Sequence, residues 1–361
     1  MFFFSACYLI FRFFSVIYKR PNLFGSFILC CVMKILLLGA SGLLGHNVLA
    51  ELCRRGHEVV ALLRSDLHPS FPADLCFEKR FFKGSLADLP FDTLTDAAQG
   101  CQAVVNCAGT TNMALLHLAD YLPVNRDLCS KLLALMDALD LSTLVHVSSA
   151  NTVGFGSETV PGVEADAIAS PFAESFYAQS KLAGEQLLAD AARRYPHRHI
   201  VIVNPGFMIG AFDAKPSSGK LMLAAHRKPL MAVPRGGKSF VPVADVAVAV
   251  ANALTMGVSG RRYLLTGATL SLANFYRLQA SVCGYRQTVL TLPDALVLAA
   301  GRVGDMLRWF GLPIQLSSRN VRQLLVTEYY SHAAATAELA MPSSPIEQAI
   351  GDFFATRHPR R

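Results

Sequence analysis

No pair among the nine cysteines of this 361-residue chain has metal-ligand spacing. Cys7, Cys30, Cys31, Cys53, Cys76, Cys101, Cys107, Cys129 and Cys283 lie scattered in apolar segments, which reads as reduced cytosolic thiols and no metal site. Internal repeats and low-complexity tracts are missing, and no Arg/Lys stripe interleaves with aromatics, so there is no case for nucleic acid. At the N-terminus there is no basic region followed by a small-residue cleavage site, and neither apolar run there reaches the roughly twenty clean residues of a membrane span.

What the chain does have is apolar content, 52% of its residues, enough to bury one large core plus a smaller lobe. The formal charge is +7, but Arg12, Lys19 and Arg20 precede Met33 with no acid among them, leaving +4 for the remainder, a balance suited to an anionic cofactor. Residues 1–32 differ from everything after them: a Phe-rich run to Ile17 broken by Arg12, then Lys19-Arg20-Pro21, then a second apolar run from Leu23 to Val32. Two readings stay open. One is an upstream-extended start, since Met33-Lys34 opens the first strand. The other is a membrane anchor or interfacial segment flanked by Lys19 and Arg20. The expected location is cytoplasmic, with membrane contact only through residues 1–32.

From Met33 onward, short apolar runs alternate with helical patterns, which predicts a parallel sheet covered on both faces. Buried strands are expected at Lys34–Leu38, Glu58–Leu63, Lys79–Lys83, Ala103–Asn106, Thr143–Val147, His199–Val203 and Tyr263–Leu265. Helices are expected at Leu44–Arg55 and Arg126–Leu139, each with an apolar stripe at helical spacing, and an amphipathic helix from Asp294 to Leu312. The last reads as part of a substrate lobe or as a membrane-surface helix.

Directly behind the first strand stands Gly39-Ala-Ser-Gly42-Leu-Leu-Gly45. Gly39 permits the tight turn, Gly42 lets the backbone approach a pyrophosphate, and Gly45 lets the helix lie close to the sheet. Backbone N–H groups of Ser41, Gly42, Leu43 and Leu44 then face the phosphates. Together these patterns specify an α/β protein, a Rossmann doubly wound parallel sheet of about seven strands with a smaller C-terminal substrate-binding lobe. The nucleotide domain is expected over 33–205 plus about 238–267, and the lobe over 206–237 plus about 268–361.

Tyr177 and Lys181 stand four residues apart, on one face of a helix. A phenol titrates near pH 10, so acid/base work at neutrality needs about 4 kcal/mol of extra phenolate stabilisation, which an ammonium and an oxidised nicotinamide can supply. Ser148-Ser149 ends the fifth strand, where ligands of such sheets sit, and a hydroxyl there can donate to a substrate carbonyl.

In these features the chain resembles the extended short-chain dehydrogenases/reductases, which include nucleotide-sugar epimerases, 3β-hydroxysteroid dehydrogenases and dihydroflavonol reductases. The matching stretches are the glycine loop, Val147–Gly154, Tyr177–Lys181 with Leu182-Ala-Gly-Glu185, Val124-Asn125, Asn204-Pro205-Gly206, Phe240–Val246 and the tail around Glu338. The resemblance implies that Tyr177 is the general acid/base, Lys181 its activator and a ribose ligand, and Ser149 the carbonyl-orienting hydroxyl. Asn125 is either a proton-relay aid or a satisfied loop residue. Ala108, Gly109 and Pro205 join the cofactor contacts. Helices flanking the tyrosine form dimer bundles in this superfamily, so a homodimer is one expectation for the oligomeric state. Two departures stand out: Gly84-Ser85 replaces the usual Gly-Asp, leaving Asp88 as the nearby acid for the adenine, and Asn106-Cys-Ala-Gly109 is closer to the smaller family members.

The second strand runs into Leu63-Arg64-Ser65 where NAD-selective members carry an acid. A guanidinium there can grip a 2′-phosphate, with Ser65 adding a hydroxyl, so NADP(H) is favoured over NAD(H). The dehydratase Asp-Glu pair is replaced by Ala150 and Asn151, which removes the acid and base of a dehydration. The expected reaction is hydride transfer between nicotinamide and a carbonyl or secondary alcohol. The alternatives are an NAD-retaining nucleotide-sugar epimerase and a non-catalytic NADP-binding regulator. Phe207, Met208, Tyr276, Trp309 and Phe310 are candidates for an apolar substrate pocket or plain core packing, whereas Lys215, Lys220, Arg227, Lys228 and Arg235 would suit a nucleotide sugar.

Overall fold

The structure is a computed structural model that describes residues 32–213, 217–312 and 314–357. The readings of residues 1–31 and of Lys215 lie outside them.

Every apolar run expected to be a strand is one: β1 (Lys34–Leu38), β2 (Glu58–Leu63), β3 (Glu78–Phe81), β4 (Ala103–Asn106), β5 (Thr143–Val147), β6 (His199–Pro205) and, after three strands placed elsewhere, β10 (Arg262–Leu265). They form one seven-stranded sheet in the spatial order β3-β2-β1-β4-β5-β6-β10, with all pairs parallel. Along β1 successive side chains enter opposite cores, as the pleat requires. Ile35 and Leu37 join Val48 and Leu49 of the helix Leu43–Arg54 and Val246 and Val250 of the helix Val243–Asn252. Leu36 and Leu38 join Leu132 and Met136 of the helix Leu128–Leu139 and Leu188 of the helix Phe176–Arg194. Each fully buried Leu or Ile stabilises the fold by about 1.5–3 kcal/mol. The strand order reverses between β1 and β4, and a crevice at such a reversal, beyond the strands' C-terminal ends, is where ligands bind in open α/β sheets.

Beyond β6 the chain builds a third core around Ile209, Met222, Phe240, Phe275, Tyr276, Ile350 and Phe353. A four-stranded sheet of β7 (Phe207–Ile209), β9 (Gly237–Pro242), β11 (Ala268–Ser271) and β13 (Thr327–Glu328) borders it, together with the parallel pair β8 (Leu230–Val233) and β12 (Thr288–Thr291). β9 therefore belongs to the second sheet, while the helix that follows it packs on the nucleotide-side core. The tail crosses back: Ala335, Leu339 and Met341 are buried in the same core as β1. Met33–Arg361 forms one compact unit.

Two expectations need correction. β3 was read as a buried strand, yet all four of its residues are exposed, because it is the sheet edge and pairs only with β2. The helix expected from Arg126 begins at Leu128, preceded by a wide π-type turn over Pro123–Asp127.

Candidate nicotinamide site

The three glycines of the loop have three separate reasons. Gly39 has φ +76, and a Cβ there would lie 2.7 Å from the Ala108 nitrogen, so the turn and the close passage of β4's exit both require glycine. A Cβ on Gly45 would lie 2.0 Å from the Gly39 carbonyl oxygen, so this position seats the helix on the strand. Gly42 is different: it is exposed, and a Cβ there would meet only the Gly39 oxygen at 3.3 Å. The space it leaves faces outward. No side chain caps the helix Leu43–Arg54 at Gly42, and its first turn holds no acid, so its leading N–H groups suit an anion. These features fit a dinucleotide pyrophosphate. At the end of β2, Arg64 is exposed and has no ion pair or hydrogen bond among the described residues, with half-buried Ser65 beside it. Asp88 is exposed as well.

At the C-terminal ends of β4 and β5 the remaining candidates gather. Buried Ser149 opens a short 3₁₀ turn, its Oγ accepting from the Asn151 N–H at 3.3 Å. Half-buried Tyr177 lies in the first turn of the helix Phe176–Arg194, close enough to the Ser149 hydroxyl for that group to favour the phenolate. The net direction for Tyr177 is nevertheless upward: burial pushes it up most, Ser149 pulls it down, and the Glu185 charge adds a further push up. The protein alone thus moves this phenol opposite to the shift its chemistry needs. Lys181 explains part of this. It is almost fully buried, and its Nζ donates to Val147 O at 2.9 Å and Ala108 O at 3.4 Å, with no hydrogen bond to the phenol. Burial lowers its own pKa, opposed by Cys129, Glu185 and Cys107. A Cβ on Gly109 would lie 2.8 Å from this Nζ, so the ammonium closes directly under the loop after β4. Pro205 ends β6 at the same edge of the sheet.

Asn125 is fully buried and its side chain is wholly committed: Oδ1 accepts from the Thr110 N–H at 2.8 Å, while Nδ2 donates to Thr110 O at 3.1 Å and Ser180 Oγ at 2.9 Å. His146, fully buried on β5, meets Asn106 Nδ2 at 3.1 Å, and burial with the nearby Lys181 charge holds it well below its usual pKa.

One residue of this edge had no role assigned from sequence. Buried Glu185, four residues beyond Lys181, accepts at Oε1 from Ser148 Oγ, from Thr152 Oγ1 at 2.6 Å and from Asn204 Nδ2 at 2.7 Å, and its Oε2 faces Arg262 at 3.5 Å. It ties the helix Phe176–Arg194 to the ends of β5 and β6 on either side of Ser149. Burial raises its pKa, against the pull of those donors. A cavity of about 480 Å³ touches Glu185 from the other side, lined by Val163, Leu182, Gln186, Gly260 and Arg262.

Among the pocket candidates, Tyr276 is core, donating to Leu221 O at 3.3 Å, and Phe207 and Met208 are half-buried. Trp309 and Phe310 are neither core nor enclosed: both stand largely exposed. Of the basic candidates, Arg235 pairs with Asp294. Among the described residues no group of three or more His, Cys, Asp or Glu could hold a metal ion, and no helix is long and apolar enough to cross a membrane.

Comparison with known proteins agrees with this geometry. Relatives include a putative dihydroflavonol 4-reductase of Synechocystis sp., 27% identical over 87% of this chain and 91% of the relative. Another is a 4-hydroxy-2-methyl-3-oxo-4-farnesyl-3,4-dihydroquinoline-1-oxide ketoreductase of Stigmatella aurantiaca, 29% identical over 80% of this chain and 85% of the relative. A nucleoside-diphosphate-sugar epimerase from Pseudomonas aeruginosa shares the fold, with a TM-score of 0.68 at 22% identity over 90% of this chain and 97% of that one. Residues 35–265, from the first strand through β10, match the NAD dependent epimerase/dehydratase family model. The chain belongs to that family, within the extended short-chain dehydrogenases/reductases, and is a nicotinamide-dependent enzyme of the oxidoreductase and epimerase class.

Proposed function

We propose that this protein is an NADP(H)-dependent reductase that interconverts an apolar ketone and its secondary alcohol in the cytoplasm. The observation that carries the reading is Ser149 beside Tyr177, with Lys181 one turn further along the same helix, next to a glycine cradle and an Arg64 that has no partner among the described residues. A nicotinamide bound there supplies or takes the hydride. Ser149 donates a hydrogen bond to the substrate oxygen, and Tyr177 delivers or removes its proton. Lys181 has three donors and spends two on Val147 O and Ala108 O, which leaves one for a ribose hydroxyl. The positive charge of an oxidised nicotinamide ring, which the protein alone lacks, supplies the stabilisation that burial denies the phenolate. Arg64 and Ser65 hold the 2′-phosphate. The apolar substrate class follows the two relatives named as reductases, one of whose substrates carries a farnesyl chain. The described cysteines are free thiols, in keeping with a reducing compartment.

Tyr177→Phe tests the assignment: turnover of a carbonyl panel with NADPH should fall by about 10²–10⁴-fold, while calorimetric titration finds NADP⁺ bound as in the parent. Retained turnover rejects Tyr177, and tighter binding of NAD⁺ than NADP⁺ rejects the role of Arg64. Protein that purifies with NAD already bound and consumes no NADPH is an epimerase instead.

A further inference from the structure

The helix Asp294–Trp309 divides its large apolar residues between two sides. Val297 is buried and Leu298 and Leu307 are half-buried, beside two glycines: a Cβ on Gly301 would strike Val321, and one on Gly304 would strike the Leu316 carbonyl, so the segment 316–321 packs against bare backbone there. The other large apolar residues point out. Leu296, Val303, Met306 and Phe310 recur at helical spacing and are all exposed, joined by Trp309, the single tryptophan of the chain, at 81% exposure and by Leu312. From 294 to 322 there are four arginines and two acids, and the acids are engaged: Asp294 with Arg235, Asp305 with the Ser318 N–H. Arg302, on the exposed side, has no ion pair among the described residues.

We propose that this face docks on a lipid bilayer carrying anionic headgroups. Large apolar and aromatic side chains beside the unpaired Arg302 match the interfacial layer, where rings sit at headgroup depth and a guanidinium meets lipid phosphate; Arg322 is paired with Glu174, and Arg308 and Arg319 turn inward to Leu115 O and the Phe176 ring. From Met33 onward the sequence carries +4, which favours an anionic surface over a zwitterionic one. The element also reaches the reaction site. Arg308 donates to Leu115 O at 3.0 Å, Asn320 to Met113 O at 3.1 Å, and the Arg319 guanidinium lies 3.8 Å over the ring of Phe176, the residue before Tyr177. Docking through this element sets the bilayer beside the segment that carries Tyr177, a link to catalysis that rests on the reading of Tyr177 given above. The docking itself does not.

Trp309 is its own reporter in the full-length protein. Phosphatidylglycerol-containing vesicles should blue-shift its emission, and brominated acyl chains should quench it, with a weaker response to phosphatidylcholine alone. Val303→Glu/Met306→Glu, two exposed positions, should weaken this partition on the order of tenfold while leaving the melting curve unchanged. Protein that sediments with vesicles while Trp309 keeps its water-exposed emission binds through another segment and overturns the proposal. A blue shift without vesicles that grows with protein concentration identifies a second copy as the occupant and overturns it equally. Neither readout involves turnover, so a failed docking leaves the catalytic reading intact, and the reverse.

Discussion

Glu185 shows how much of this site depends on a residue that cannot touch the substrate oxygen. Three donors from two strand ends converge on one of its oxygens, away from solvent. Glu185→Ala takes away the acceptor of Ser148 Oγ and the carboxylate partner of Arg262, while Thr152 and Asn204 keep Ser149 O, and should cost about 3–5 kcal/mol in a urea titration. Glu185→Gln keeps the shape but presents an amide to a site built of donors, so it should lose less stability, about 1–3 kcal/mol. Its kcat should fall through the displaced Ser149 loop while NADP⁺ affinity holds; unchanged kcat would show that Ser149 does not need this tie. In the sequence, Glu185 was visible only as an acid one turn after Lys181. Its partners Ser148, Thr152 and Asn204 lie 19 to 37 residues away and meet it only when β5 and β6 pair. The environment of Tyr177 was hidden for the same reason, since the direction of its pKa is decided by burial, by the Ser149 hydroxyl and by the Glu185 charge, which only the fold brings together.

At the scale of elements, the glycine loop separates structural from ligand-binding constraint. Gly45→Ala forces a Cβ onto a backbone oxygen 2.0 Å away and should destabilise the fold by about 1–3 kcal/mol or more. Gly42→Ala has only the 3.3 Å contact to relieve, so its melting temperature should stay near that of the parent. Its cofactor affinity should drop about tenfold, or 1.4 kcal/mol, because the methyl enters the space left for the pyrophosphate. Equal destabilisation by both, with cofactor binding spared in Gly42→Ala, would remove the dinucleotide reading of the loop. The central strands were legible to the residue because each is apolar on both faces and bounded by turn or helix signals. β3 was misjudged in burial, since Glu78, Lys79 and Arg80 belong to an edge that periodicity cannot distinguish from an interior strand. The π-type turn at Pro123–Asp127 was not read from the sequence; Gly184 passes close to it, where a Cβ would lie 2.3 Å from Asn125 O.

For the whole molecule, buried histidines set the response to acid. Burial holds His46, His57, His68 and especially His146 below their usual pKa of 6.5. A depressed folded-state pKa means that, as pH falls below about 6.5, the unfolded chain takes up protons the folded one refuses, and stability is lost. Glu185 and Glu328 have raised values and the opposite sign: their contribution is full below the ordinary carboxylate range and is lost as pH rises through the folded-state value. His146→Leu isolates the histidine term. It should be less stable than the parent near pH 7.5, and the gap in melting temperature should narrow toward pH 5. A constant gap would mean that His146 does not titrate on unfolding.

The sequence alone determined the sheet, its covering helices and the family, and it singled out the cradle glycines and the Ser149, Tyr177 and Lys181 set on which the proposed function rests. These depend on local periodicity and on short spacings that survive without a third dimension. Tertiary structure decided the rest: the return of residues 335–341 to the first core, the commitment of Asn125 to Thr110 and Ser180, the clamp at Glu185, and the outward face of the helix ending at Trp309. An amphipathic pattern fixes which residues share a side of a helix. Only the packing of Gly301 and Gly304 against their neighbours settles which side is turned to the interior.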